Sequence, residues 1–196
     1  MLTWILVIPA IAALATLANR RAAPWVTLAS AIAVLVLSAL AALEVERTGS
    51  LGTSWGGLSL DALAALYLLL VAFVGVTAAL YSIGYLQAHA PGHGGAPPPR
   101  YRAYWPLYNL FLISMLAVPL VSNLAVIWIA IELTTIFSAF LVAYDDRAAA
   151  LEAAWKYVAL TSVGAMIALF GVLVLYYGIH LADQPPTWAG LVAAPT

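Results

Sequence analysis

Cysteine is absent from all 196 residues. A chain without thiols forms no disulfide, holds no thiolate metal site and anchors no cysteine-ligated iron–sulfur cluster. Charge is the second scarcity. Asp, Glu, Lys and Arg together make up 8% of the chain, where soluble domains carry about a quarter. A formal net charge of -1 removes the electrostatic basis for binding nucleic acid. No basic residue precedes the first apolar run, Leu2 to Ala18, and Arg20-Arg21 stands directly behind it. A cleaved secretory signal has the opposite order. The sequence also offers no phosphate loop, nucleophile elbow or metal constellation, and His180 stands alone near a helix end. These absences argue against a self-contained enzyme.

What is there is hydrocarbon. Hydrophobic residues make up 65% of the chain and the mean hydropathy is +1.03, so the sequence predicts an all-α integral membrane protein. A spanning helix needs about 20 mostly apolar residues. Six segments qualify, at about 2–18, 24–43, 60–86, 104–121, 124–143 and 149–178. Together they form a single transmembrane domain over 1–196.

The connectors alternate in charge. One set carries Arg20, Arg21, Arg100, Arg102 and Arg147; the other carries only Arg47, among Glu44, Glu46, Asp61 and Asp183. The positive-inside rule makes the first set cytoplasmic and puts the N-terminus outside. The stretch 87–103 reads as a Gly/Pro-rich cytoplasmic linker, and its His89 and His93 lack the further ligand a metal site needs. Residues 183–196 read as a loop-like tail behind Pro185-Pro186, with a second apolar onset at Trp188. Ser122-Asn123 supplies an N-cap for the fifth segment. Gly164, Ala168 and Gly171 recur at helical spacing in the sixth and predict close helix packing there.

Two charges stand inside the apolar stretches: Glu132 in Ala130-Ile131-Glu132-Leu133-Thr134-Thr135, and Lys156 in Ala153-Ala154-Trp155-Lys156-Tyr157. A charge at bilayer depth costs about 2.5–3.5 kcal/mol even on the lenient insertion scale, so it marks function or pairing. Each lies twelve residues from Tyr144. A hairpin turning at Tyr144 therefore carries both roughly 13–17 Å into a core about 30 Å thick. Three readings stay open. The two handle protons or ions together; they form a structural salt bridge; or Lys156 pairs with Glu152 one turn earlier. Thr134, Thr135, Ser138, Thr161 and Ser162 place hydroxyls nearby, either bonded to their own helix or lining a polar channel. Tyr108, Asn109 and Ser114 are further polar candidates on the fourth segment.

The motifs resemble a known family. Leu60-Asp61-Ala62-Leu63 with Tyr81-Ser82-Ile83-Gly84-Tyr85-Leu86 is similar to the third-helix region of the antiporter-like subunits of respiratory complex I and its relatives. Ile131-Glu132-Leu133-Thr134-Thr135 through Tyr144 resembles their fifth helix. Ala150-Leu151-Glu152-Ala153-Ala154-Trp155-Lys156-Tyr157 with Ser162-Val163-Gly164 resembles their sixth, and is most like that of hydrogenase-4 component F, a subunit of group 4 membrane-bound hydrogenases.

The resemblance implies a proton- or sodium-translocating membrane subunit in a bacterial or archaeal cytoplasmic membrane. Its partners would be the lipid bilayer and the other membrane subunits. It would hold no cofactor of its own, while partner subunits carry iron–sulfur and nickel–iron or flavin centres. Glu132 and Lys156 would be the translocation residues, with Glu152, Thr134, Thr135 and Ser162 as polar support. Family members have about fourteen helices in two inverted repeats, so the chain is expected to be a fragment of a larger antiporter-like fold. A subunit of a non-redox cation/proton antiporter or of an inorganic-carbon uptake complex, and a truncated scaffold subunit, are the alternatives.

Overall fold

The computed structural model describes residues 1–53, 57–88, 103–144, 147–181 and 185–193. The architecture is all-α. Six long helices run up and down: α1 (Leu2–Ala18), α2 (Ala23–Thr48), α3 (Ala62–Ala88), α4 (Tyr104–Leu120), α5 (Leu124–Ala143) and α6 (Ala148–Leu181). A two-stranded antiparallel hairpin, β1 (Leu51–Gly52) with β2 (Ser59–Leu60), lies between α2 and α3, and a short helix, α7 (Trp188–Ala193), follows α6. By length and composition α2, α3, α5 and α6 suffice to cross a membrane, and α1 and α4 are shorter apolar helices of 17 residues each. At 1.5 Å per residue, 17 residues reach about 25 Å, at the lower limit for a span.

The element bounds differ from the sequence reading mainly at helix ends. Helix α2 runs on past 43 to Thr48 and stops at Gly49, whose φ of 82° provides the left-handed exit. Helix α6 runs to Leu181, and α7 occupies part of the stretch read as a tail. Most of the Gly/Pro-rich linker, with His89, His93, Arg100 and Arg102, lies outside the described residues, as does Asp183.

Helices α1 to α4 close into a ring in which α1 packs on α2 and α4, and α3 on α2 and α4. Its core holds Ile5, Val34, Leu60, Leu68, Leu116 and Leu120, all fully enclosed. Small residues let α3 come close: its buried stripe includes Ala65, Ala72, Gly75 and Ala79. A Cβ at Gly75 would meet Leu112 Cδ1 at 2.9 Å, and the Tyr108 hydroxyl donates to the Gly75 carbonyl at this crossing. Helix α4 is the centre of the molecule and has no fully exposed residue. Helix α5 packs on α4, and α6 packs on α5.

At the end bearing Arg20, Arg21 and Arg147, Tyr104 stacks on Tyr108 and meets Trp105 and Tyr144 edge-on, joining the ring to the end of α5. At the opposite end three connections are tied together. Ser122 N–H donates to Gly57 O at 3.0 Å, and Trp188 N–H donates to Ser122 O at 3.2 Å. Asn123 caps α5 by accepting from the backbone N–H groups of Ala125 and Val126 at 3.0 and 3.2 Å. The same Oδ1 accepts from the Tyr176 hydroxyl at 2.8 Å, which pins the far end of α6.

Replacing Asn123 therefore removes a cap and a tether together. Asn123→Ala should destabilise the fold by about 1–2 kcal/mol and Tyr176→Phe by about 1 kcal/mol. Thermal unfolding of the two variants in lipid nanodiscs checks both, and Asn123→Ala should melt lower.

Candidate functional site

Glu132, Glu152 and Lys156 all lie on α5 or α6. The contact face of α6 consists of Ala154, Val158, Thr161, Ser162, Ala165, Leu169, Val172, Tyr176 and Ile179, all buried or half-buried. They recur every three to four residues, as one helix face must. Three side-chain contacts set the register of the hairpin. Trp128 Nε1–H donates to Ala165 O at 2.9 Å, Ser162 Oγ–H donates to Glu132 Oε1 at 3.3 Å, and Ser138 Oγ lies 3.4 Å from the Tyr157 hydroxyl.

These pairs centre on Arg147, three residues beyond Tyr144. Helix α5 ends at Ala143 and α6 does not begin until Ala148, so the turn is displaced toward α6. The matching depth expected for Glu132 and Lys156 is not found. Glu132 lies level with Ser162, six residues past Lys156, or roughly 9 Å further along α6.

Lys156 forms its ion pair with Glu152 Oε1, four residues earlier on the same helix. Both side chains face outward, 69% and 62% exposed, whereas Glu132 is half-buried in the hairpin. The buried Glu132–Lys156 pair of the sequence reading is thus replaced by two separate arrangements: a carboxylate held by a hydroxyl inside the hairpin, and a local ion pair on its outer flank. The physical reason is helix rotation. Ser162 and Lys156 are six residues apart, about 120° around a 3.6-residue helix, so only one of them can face α5.

The hydroxyls divide in the same way. Thr134 Oγ1–H donates to Ile131 O at 2.6 Å, and the Thr135 hydroxyl reaches the same carbonyl at 3.5 Å. Both are bonded to their own helix, the common state for such residues. Thr161 likewise donates to Tyr157 O at 2.8 Å. Of the supporting residues named from sequence, Ser162 alone reaches a site charge across the helix interface.

Thr134, Ser138 and Tyr157 nevertheless share a cleft of about 720 Å³ with Tyr67 and Val71 of α3 and Phe111 and Met115 of α4. Asp61 also lines that cleft. Gly164, Ala168 and Gly171, expected to pack, are exposed instead. No neighbouring atom lies within 4 Å of where a Cβ would stand at Gly164 or Gly171. Among the described residues no group of three His, Asp or Glu side chains is arranged to hold a metal ion.

Two contacts escaped the sequence reading. Trp128 reaches a backbone carbonyl, for which sequence carries no signal. Tyr157, next to Lys156, does carry a signal, since a tyrosine hydroxyl on an apolar helix is a hydrogen-bonding group in need of a partner.

Known proteins share these helices. The family model described as NADH-ubiquinone oxidoreductase (complex I), chain 5 N-terminus, matches residues 47–94. That described as NADH:quinone oxidoreductase/Mrp antiporter, TM, matches residues 121–180. A hydrogenase-4 component F homolog of Methylacidiphilum infernorum (isolate V4) is 34% identical over 133 residues, covering 68% of this chain and 27% of that relative. The NADH-quinone oxidoreductase subunit N of Desulforudis audaxviator (strain MP104C) is 29% identical, covering 97% of this chain and 40% of the relative. This chain thus spans well under half the length of both. Among solved structures, a chain of the membrane-bound sulfane sulfur reductase, an archaeal respiratory membrane complex, superposes with a TM-score of 0.75 at 21% identity, over 93% of this chain and 39% of that one. That likeness speaks for the fold.

The displaced register has a direct test, made simple by the absence of native cysteine. A Glu132→Cys/Ser162→Cys double variant should cross-link readily under mild oxidation. Glu132→Cys/Lys156→Cys should stay reduced. Mobility on denaturing gels reads the outcome, and the reverse pattern would restore the Tyr144-centred hairpin.

Proposed function

Because the chain belongs to the antiporter-like membrane subunits of complex I and related respiratory assemblies, we propose that its α5–α6 hairpin carries part of a proton- or sodium-translocation path. The observation that carries this reading is the position of one family match. Residues 121–180 of the NADH:quinone oxidoreductase/Mrp antiporter match contain Glu132, Glu152, Lys156 and Ser162 together. Three ionisable groups on two apolar helices are costly unless they serve a purpose.

In the proposed step, the Glu152 carboxylate supports the charge on the Lys156 ammonium. When Lys156 is drawn off Glu152, that support is lost and the ammonium hands a proton on along the hairpin toward the Glu132 carboxylate. Glu132, held by Ser162 roughly 9 Å along the hairpin, is the next acid able to take part. Thr134 and Thr135, bonded to their own helix, are given no part in the transfer.

The electron-transfer chemistry that would drive this movement is assigned to partner subunits, since the chain has no cysteine. Those subunits, and further membrane helices, are proposed to cover the outward face of α6. By the positive-inside rule the arginine-bearing connectors are proposed to face the cytoplasm, with the N-terminus outside, in a bacterial or archaeal cytoplasmic membrane. A second reading is favoured by the same family description, which also names the Mrp antiporters: exchange of sodium for protons without a redox partner.

In the assembled complex, Glu132→Gln and Lys156→Ala should each abolish proton translocation while redox turnover partly survives. Proton uptake into sealed vesicles, started by electron donor in one arm and by a sodium gradient in the other, measures both readings. Undiminished pumping in both variants would sink the proposal. Pumping under the sodium gradient alone would select the exchanger.

A further inference from the structure

Helix α2 carries hydroxyls on its buried stripe. Thr27, Ser30 and Ser38 lie on the same face as Ala31, Val34, Ala41 and Val45, and all seven are enclosed. Asn109 of α4 is fully buried opposite Thr27, and its amide nitrogen donates to Thr27 Oγ1 at 2.8 Å and to Trp105 O at 2.9 Å. Both amide hydrogens are thereby used. The Trp105 carbonyl only accepts, so the amide cannot be turned over.

Asn109 Oδ1 consequently points into the protein with no donor to meet it, and Ser30 Oγ is likewise buried without a partner. Ser30 is one turn along α2 from Thr27, on the stripe that Asn109 already touches. An enclosed acceptor and an enclosed hydroxyl on the same seam are what a buried water joins, and such waters make about three hydrogen bonds.

We propose that the α2–α4 seam binds an ordered water molecule that donates to Asn109 Oδ1 and accepts from Ser30 Oγ. This site is independent of the α5–α6 hairpin and lies inside the four-helix ring. Ser38, two turns further along, is also without a partner, but no second unmet polar group faces it among the described residues. Its hydroxyl, like that of Ser30, can turn to its own helix carbonyl four residues back. Asn109 has no such escape, because another carbonyl offers it no hydrogen. The water would therefore hold α2 to α4 across a contact that is otherwise short.

The test uses the full assembly in nanodiscs. A cryo-electron map sharp enough to show ordered solvent should contain a peak within hydrogen-bond distance of both Asn109 Oδ1 and Ser30 Oγ. The peak should vanish or move in Ser30→Ala. A map with no density there, or with Ser30 bonded directly to Asn109, overturns the proposal. Melting gives a second readout that does not depend on the map. Ser30→Ala should lower the melting temperature by a few degrees, since the water loses a partner. Ser38→Ala should leave it unchanged or raise it. A rise or no change in Ser30→Ala would mean a dry hydroxyl or one bonded to its own helix, and would equally overturn the site.

Discussion

In hydrocarbon, one apolar helix surface gains almost nothing by leaving lipid for another, so hydrogen bonds and close backbone approach decide which helices meet. Several junctions between the long elements follow that constraint. The Asn109 amide ties α4 to α2 through Thr27. The Tyr108 hydroxyl ties α4 to the Gly75 carbonyl of α3. Trp128 and Ser162 tie α5 to α6, and Tyr176 closes the far end onto Asn123. Each such bond contributes on the order of 1 kcal/mol. Their value lies in fixing rotation and register, which an apolar contact of equal area leaves free.

Register is what separates the site as read from sequence from the site as folded. The helices themselves were legible: runs of apolar residues broken by Arg20-Arg21, by the Gly/Pro-rich stretch and by Ser122-Asn123 place six segments within a few residues of α1 to α6. The Asn123 cap was legible too, because an Asn ahead of an apolar run has one obvious use. The turn of the α5–α6 hairpin was not. Shifting its centre from Tyr144 to Arg147 adds three residues to one arm, which moves the facing partner by six. That is nearly two turns, enough to exchange Lys156 for Ser162 opposite Glu132. Periodicity describes each helix separately and is silent on such a shift. The pairing of Lys156 with Glu152 was, by contrast, readable from spacing alone, since both residues sit on one helix.

Faces were only partly legible for a related reason. A helix apolar all round offers no moment to orient it, and α6 is of this kind. Gly164, Ala168 and Gly171 promised a packing surface, yet the covered face is the one through Ala154, Ala165 and Leu169. Small residues thus stand on two sides of one helix, which allows two neighbours, and α5 takes only one of those sides. On α2 the informative residues were the polar ones: Thr27, Ser30 and Ser38 recur at helical spacing inside an apolar run, which marks an interior face more clearly than any hydrophobic position there.

The distribution of polar groups then separates the molecule into two parts with different roles. Thr16, Thr27, Ser30, Ser38, Ser82, Asn109 and Ser114, the buried polar residues of the described chain, all belong to α1–α4. Thr16, Ser82, Asn109 and Ser114 bond to backbone, and Asn109 and Ser82 also join Thr27 and Tyr104, which suits a rigid ring. The membrane-depth charges belong to α5 and α6, where Glu132 is half-covered and the Glu152–Lys156 pair faces outward. An ion pair on the surface of a spanning helix is unstable against bare lipid, because desolvation there exceeds what a local carboxylate returns. It is tolerable against water or against another polar protein surface. The placement of Lys156 is therefore an argument about its surroundings: the stretch of the outer flank around Glu152 and Lys156 suits water or a polar surface, while the apolar remainder of that flank suits lipid or another helix.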